Sequence, residues 1–174
     1  MVEYRFVMGN ITDFPTDAII TGIYPGSPWT QGVDGAIRHV AGSLFHDQAS
    51  AAEPLFEGEV VVARSKPQEA QKLKLNFRNV VFVVDAGQRP LSRIVYAGLK
   101  AAADAGFRDV TLPAIRFGVM LGAVEKTTRE IVDQLIVGIQ RFDSDQCKGL
   151  DTVTFVIYNN EQFYALLTER FLFE

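Results

Sequence analysis

The chain has 174 residues, 48% of them hydrophobic and 22% charged, with 17 Lys plus Arg against 21 Asp plus Glu and a net charge of −4. That length makes one domain, able to bury about 70% of the surface its unfolded form exposes, and the composition excludes a disordered, collagen-like or low-complexity chain. The acidic balance, with no run of Lys or Arg, gives no signal for a nucleic-acid backbone as partner but leaves a small nucleotide open, because fixed backbone N–H groups hold phosphates without net positive charge.

Residues 4–8 (YRFVM) and 18–21 (AIIT) read as short buried strands, the second entered from a turn at Pro15 and left through Gly22 and Pro25. Pro25, Gly26 and Pro28 mark a loop between Ile23 and Gly32. Residues 33–42 follow as a short helix with Val33, Ile37 and Val40 on one face and Gly42 as its stop. Strands are expected at 59–63 (EVVVA) and 80–84 (VVFVV), the second apolar throughout, as in a central strand covered on both faces. The polar stretch between them reads as linker or turn.

Residues 92–105 form a helix with Ile94, Val95, Leu99 and Ala102 on one side, Ser92 at its start and Gly106 where a C-terminal cap belongs. A strand at 109–112 (DVTL) leads to an apolar loop at 113–123. Thr127 and Glu130 have capping-box spacing and open a helix carrying Ile131, Leu135, Ile139 and Phe142. The last pair is a strand at 152–157 and a helix at about 160–170, whose Phe163, Tyr164, Leu166, Leu167 and Phe171 form its core face.

Strands alternating with helices predict an α/β sandwich with a mostly parallel sheet. Ligands of such sheets bind beyond the carboxyl ends of the strands. Four segments lie just past predicted strand ends, at 9–13, 22–34, 116–122 and 158–160, and parallel strands bring them to one edge. The single cysteine, Cys147, cannot form an internal disulfide, and the first residues lack a signal peptide's charge and apolar run, so a reducing, cytoplasmic setting is expected. The apolar stretches are far shorter than the ~20 residues that span a bilayer, so no membrane partner is expected. Two histidines and one cysteine draw no zinc spacing, so neither a metal nor a cofactor is expected.

The four segments, in this order, carry a resemblance. Gly9-Asn10-Ile11-Thr12, then residues 17–24 (DAIITGIY), then Gly32-Val33-Asp34-Gly35-Ala36-Ile37 running to Val40-Ala41-Gly42, and later Gly58-Glu59-Val60 and Pro113-Ala114-Ile115 with Gly118-Val119, resemble the macrodomain family, whose members bind ADP-ribose. The similarity covers nearly the whole chain and implies one domain over residues 1–174. It also implies a three-layer α/β/α sandwich on a mixed, mostly parallel sheet of about six strands.

On this resemblance adenine lies near Asn10, Ile11 and Tyr158, with Asn159 beside it. The diphosphate lies between the loop at Gly32, Val33 and Asp34 and the loop at Arg116, Phe117, Gly118, Val119 and Met120, Tyr24 stands at the distal ribose, and Thr21 is a further ligand-binding residue. Several positions depart from the family. Tyr24 replaces an asparagine at the distal ribose, Arg116 and Phe117 replace small residues, and Met120 replaces an aromatic. Asn10 replaces an adenine-selecting aspartate, a mild change if its amide oxygen accepts from the adenine amino group.

Two readings stand for each departure. Asp34 either caps the helix or orients and activates water in a hydrolytic reaction. Arg116 either pairs with a phosphate or faces solvent on a loop tip. Trp29 covers a ribose or base, or packs over the core edge from an exposed loop, and Tyr158 stacks on a base or belongs to the core. His39 reads as a surface or half-buried histidine, and Cys147 as incidental. The leading functional expectation is binding of ADP-ribose or a derivative, such as a conjugated or cyclic form. The alternatives are hydrolysis of ADP-ribose from a modified protein or conjugate, with Asp34 catalytic, and a non-catalytic interaction domain with a degenerate pocket.

Overall fold

Every second residue of the central strands faces the same layer of helices, and this period of two sets the architecture. In the strand Phe77–Val84, Val80, Phe82 and Val84 pack into one apolar cluster, while Val81 and Val83 pack into the other. The strand Thr16–Ile23 divides likewise, with Ile19 and Ile23 on one face and Ala18 and Ile20 on the opposite one. The computed structural model describes residues 1–26, 28–117, 122–145 and 149–172.

In chain order the elements are β1 (Glu3–Met8), a 3-10 turn (Ile11–Asp13), β2 (Thr16–Ile23), α1 (Gly32–Ala41), α2 (His46–Ala51), β3 (Val60–Arg64), α3 (Pro67–Lys72), β4 (Phe77–Val84), α4 (Leu91–Asp104), β5 (Asp109–Leu112), α5 (Thr128–Ser144), β6 (Thr152–Ile157) and α6 (Glu161–Leu172). The six strands form one sheet in the order β1-β6-β5-β2-β4-β3, parallel except for β3, which pairs antiparallel with β4 at the edge. Helices α4, α5 and α6 cover one face and α1 and α2 the other, so the predicted three-layer sandwich is what forms.

The layers pack closely. Gly98 of α4 faces Ile20 so tightly that a Cβ there sits 2.4 Å from the Ile20 Cγ2, so any larger residue forces the helix off the sheet. The expected core residues Ile94, Val95, Leu99, Ala102, Ile131, Leu135, Ile139 and Phe142 are all buried, each large one contributing about 1.5–3 kcal/mol by leaving water. On α6, Phe163 and Leu167 are buried and Tyr164, Leu166 and Phe171 partly so.

Three local expectations need correction. The stretch between β3 and β4 is not only linker, because Pro67 at the first helical position and Glu69 bonding back to the Lys66 N–H at 2.8 Å start the short helix α3. Ser92 does not cap α4. The helix begins at Leu91, and its N–H is taken by Glu125 Oε1 at 2.8 Å from a distant loop. Thr127 does cap α5, accepting from the Glu130 N–H at 3.1 Å, but the Glu130 carboxylate reaches Lys126 N at 2.5 Å rather than closing the reciprocal bond on Thr127. Among the described residues, no helix is long and apolar enough to cross a membrane.

Candidate functional site

Five parallel strands, β1, β6, β5, β2 and β4, end at the same edge of the sheet, and a cleft opens there between the segments that follow β1, β2, β5 and β6. It has two chambers. The loop chamber, about 450 Å³, is walled by Thr21 to Tyr24, by Trp29, Asp34 and Asp85, and by the segment from Pro113 to Phe117. The rim chamber, about 440 Å³, is walled by Asn10, Ile11, Gly32, Ala36, Val156 and Tyr158. Val33, Pro113, Ala114 and Phe117 line both chambers, so the two open into one another along a shared neck.

The neck lies at the start of α1. Gly32, the first helical residue, has φ +60, a conformation in which side-chain-bearing residues are strained. Gln31 is the N-cap and makes no side-chain cap bond, so the first N–H groups of this ten-residue helix are left for an outside acceptor. Their partial positive charge favours an anion.

Asp34 is therefore not the cap. It sits in the first turn of α1, and its Oδ1 is 2.9 Å from His46 Nε2 of α2. The Asp34 side chain keeps 18% of its surface exposed toward the loop chamber, whereas His46 is wholly buried between Trp29 and Phe82. Among the described residues His46 Nδ1 has no partner. Donation from Nε2–H to the carboxylate satisfies the pair and leaves only a bare acceptor nitrogen buried. His46 is a site residue that the sequence reading missed, because no charge or spacing around it signals a partner twelve positions upstream.

Arg116 neither faces solvent nor waits for a phosphate. Its side chain is fully buried, with Nε and Nη2 on the two oxygens of Asp85 at 2.9 and 2.8 Å and Nη1 on Glu125 Oε2 at 2.8 Å. Burial works against the guanidinium charge, and the hydrogen bonds to Asp85 and Glu125 outweigh it, holding the group above its ordinary pKa. Arg116 has φ +65, a strained position for a side chain of this size that the two ion pairs keep in place. Asp85 also accepts from the Gly87 N–H at 2.9 Å, and Glu125 takes the first N–H of α4, so this cluster ties the end of β4, the loop after β5 and the start of α4 together. A lone acid closing the apolar run of β4 was the sequence signal for it.

Trp29 is buried, at 4% exposure, and its indole N–H donates to the Tyr24 carbonyl at 2.7 Å, which pins the ends of the loop that walls the chamber. It is not an exposed loop aromatic. Tyr24 itself is exposed at the chamber mouth.

In the rim chamber Tyr158 is 74% exposed and so is no core residue, and Phe117 packs edge-on against Phe163. Asn159, at φ +46, forms the turn into α6 and is not one of the chamber's wall residues. Asn10 overturns one expectation. Its Oδ1 already accepts from Thr12 N at 3.0 Å and from Thr12 Oγ1 at 2.8 Å, capping the 3-10 turn, and is not left to accept from a base. His39 is exposed. Gly118, Val119, Met120 and Cys147 lie outside the described residues.

Neither a family model nor a curated protein matches the chain by sequence. Solved structures do match it. One is a Trypanosoma brucei macrodomain in complex with ADP-ribose, 22% identical with a TM-score of 0.79 over 97% of this chain and 69% of that one. Another is an Oceanobacillus iheyensis macrodomain with ADP, 20% identical with a TM-score of 0.69 over 97% and 89%. The fold is that of a macrodomain. The macro domain of ganglioside induced differentiation associated protein 2 matches as well, at 13% identity and a TM-score of 0.71 over 95% and 82%. Macrodomain architecture thus persists here at an identity that fixes the path of the chain and says nothing of its side chains.

Proposed function

We propose that the cleft binds ADP-ribose or a nucleotide derived from it. The observation that carries this reading is the pair of joined chambers with the uncapped start of α1 at their neck: a ring fits the rim chamber, a sugar the loop chamber, and a diphosphate the N–H groups between them. The two similar macrodomains crystallised with ADP and with ADP-ribose support it. The partner is then a free nucleotide or an ADP-ribosylated protein, and a lone cysteine suits a reducing, cytoplasmic compartment. Calorimetric titration with ADP-ribose tests the reading. Saturable one-to-one binding that AMP alone matches only weakly is expected, and no heat and no thermal stabilisation at millimolar ligand would overturn it in favour of an interaction domain.

A second reading, hydrolysis of an ADP-ribose conjugate, is favoured by Asp34, whose carboxylate lines the loop chamber and is held there by His46. Release of ADP-ribose from a modified protein, abolished by Asp34→Asn while binding persists, is its signature. Unchanged release in that variant would remove Asp34 from the chemistry.

A further inference from the structure

The hydrogen bonds in the wall of the loop chamber are complete, but its charges do not cancel. Arg116 is the only Lys or Arg in the four segments that form the cleft, residues 9–13, 22–34, 113–123 and 158–160. Its positive charge is divided between Asp85 and Glu125, so that buried cluster is itself net negative. Asp34 adds a further carboxylate, with 18% of its side chain exposed toward the chamber. His46 gives Asp34 a hydrogen bond from Nε2 and no charge, because the second N–H of an imidazolium, at Nδ1, finds no acceptor among the described residues. Neighbouring cations do not make up the deficit. Arg38, one turn along α1, makes no ion pair with Asp34, and the Arg89 guanidinium lies over Gly58; neither is a wall residue of the chamber.

Tyr24 stands at the mouth of the same chamber, 57% exposed, with its carbonyl fixed by the Trp29 indole. An aromatic face open to solvent attracts a cation. A nucleotide with its diphosphate at the start of α1 brings further negative charge close to Asp34, and like charges at short range in a partly buried site repel. Resting on the nucleotide reading above, we infer that the loop chamber takes an ADP-ribosyl group whose distal ribose carries a positively charged nitrogen group on its anomeric carbon. Shape admits any sugar that fits, and charge then sorts among those, with the cation between the Asp34 carboxylate and the Tyr24 ring. Two ligands share this chemistry: a pyridinium dinucleotide, and a protein arginine whose guanidinium bears the ADP-ribosyl group. A carboxylate ester on the same carbon lacks the charge, and a phosphate reverses it.

The test is calorimetric titration of the full chain with NAD⁺ and with NADH, which differ in the charge and saturation of the nicotinamide ring, and with ADP-ribose as the reference. The wild-type protein is expected to bind NAD⁺ about fivefold more tightly than NADH. Asp34→Asn removes the charge while its amide oxygen still accepts from His46, and is expected to bring that ratio near one. If Asp34→Asn does not fold, Tyr24→Leu, at an exposed position, is expected to lower the ratio about twofold. A second arm sets ADP-ribosyl-arginine against NAD⁺: tighter binding of the arginine conjugate assigns the chamber to a modified protein, and tighter binding of NAD⁺ assigns it to the free dinucleotide. Affinity for NADH equal to or above that for NAD⁺, or a preference that neither variant lowers, overturns the inference while leaving ADP-ribose binding intact. Absence of ADP-ribose binding overturns the cleft reading and the inference with it.

Discussion

The two chambers are nearly equal in volume and built on opposite plans. The loop chamber is built on polar groups satisfied among themselves: Arg116 sits on Asp85 and Glu125, Asp34 on His46, and Trp29 on the Tyr24 carbonyl. The rim chamber is an apolar surface left open to water, with Tyr158 and one amide to give it direction. The first is preorganised and recognises by shape, since its polar atoms need no ligand to complete them. The second gains from a ligand chiefly by covering apolar area. A molecule with one flat end and one hydroxylated end uses both plans at once.

Breaking the internal pairing of the loop chamber has the largest expected effect. Arg116→Met leaves two buried carboxylates without their cation, and a loss of about 3–5 kcal/mol is expected, lowering the melting midpoint by roughly 10 °C. A calorimetric scan checks this, and a midpoint within a degree or two of wild type would mean that the cluster is not the brace described here. Next comes the rim chamber. Tyr158→Ala removes an exposed ring, so stability stays within about 0.5 kcal/mol while nucleotide affinity falls about tenfold or more through lost stacking.

A finer comparison separates the chambers by ligand. His46→Phe keeps an aromatic between Trp29 and Phe82 but releases the Asp34 carboxylate, so ADP-ribose is expected to bind several-fold more weakly while AMP, which on the proposed reading reaches only the rim chamber and the neck, is expected to be unaffected. Equal losses for both ligands in parallel titrations would reduce the pair to a packing role. The smallest effect is at the neck. A Cβ at Gly32 meets nothing within 4 Å, so Gly32→Ala costs only the strain of φ +60, about 1 kcal/mol by urea denaturation.

Most of the fold was legible in the residues because strand and helix periods alternate cleanly from Val80 through Ile157 and each period names its buried face. The helices α2 and α3 were not. They are six residues each, too short to show an amphipathic repeat, and α3 depends on a proline and one carboxylate rather than on apolar spacing. The site was legible as a set of positions and illegible as a set of partners. Motif order placed Asn10, Asp34, Arg116 and Tyr158 at one sheet edge, but pairing across 31 positions from Arg116 to Asp85, or 12 from Asp34 to His46, leaves no trace in local sequence. Asn10 is the instructive case. An amide presents an acceptor or a donor to a ligand according to what its own turn has already taken, and only the fold shows that Thr12 holds the oxygen.

The central claim is that the two chambers form one site. Backbone and indole resonances of the 15N-labelled protein, followed during titration first with AMP and then with ADP-ribose, test it most directly. AMP is predicted to shift residues of the rim chamber and neck, Ile11, Val33 and Tyr158 among them, and ADP-ribose to shift those and in addition the Trp29 indole and Asp34. Shifts from ADP-ribose confined to the same residues as AMP, or lying away from the cleft altogether, would contradict it.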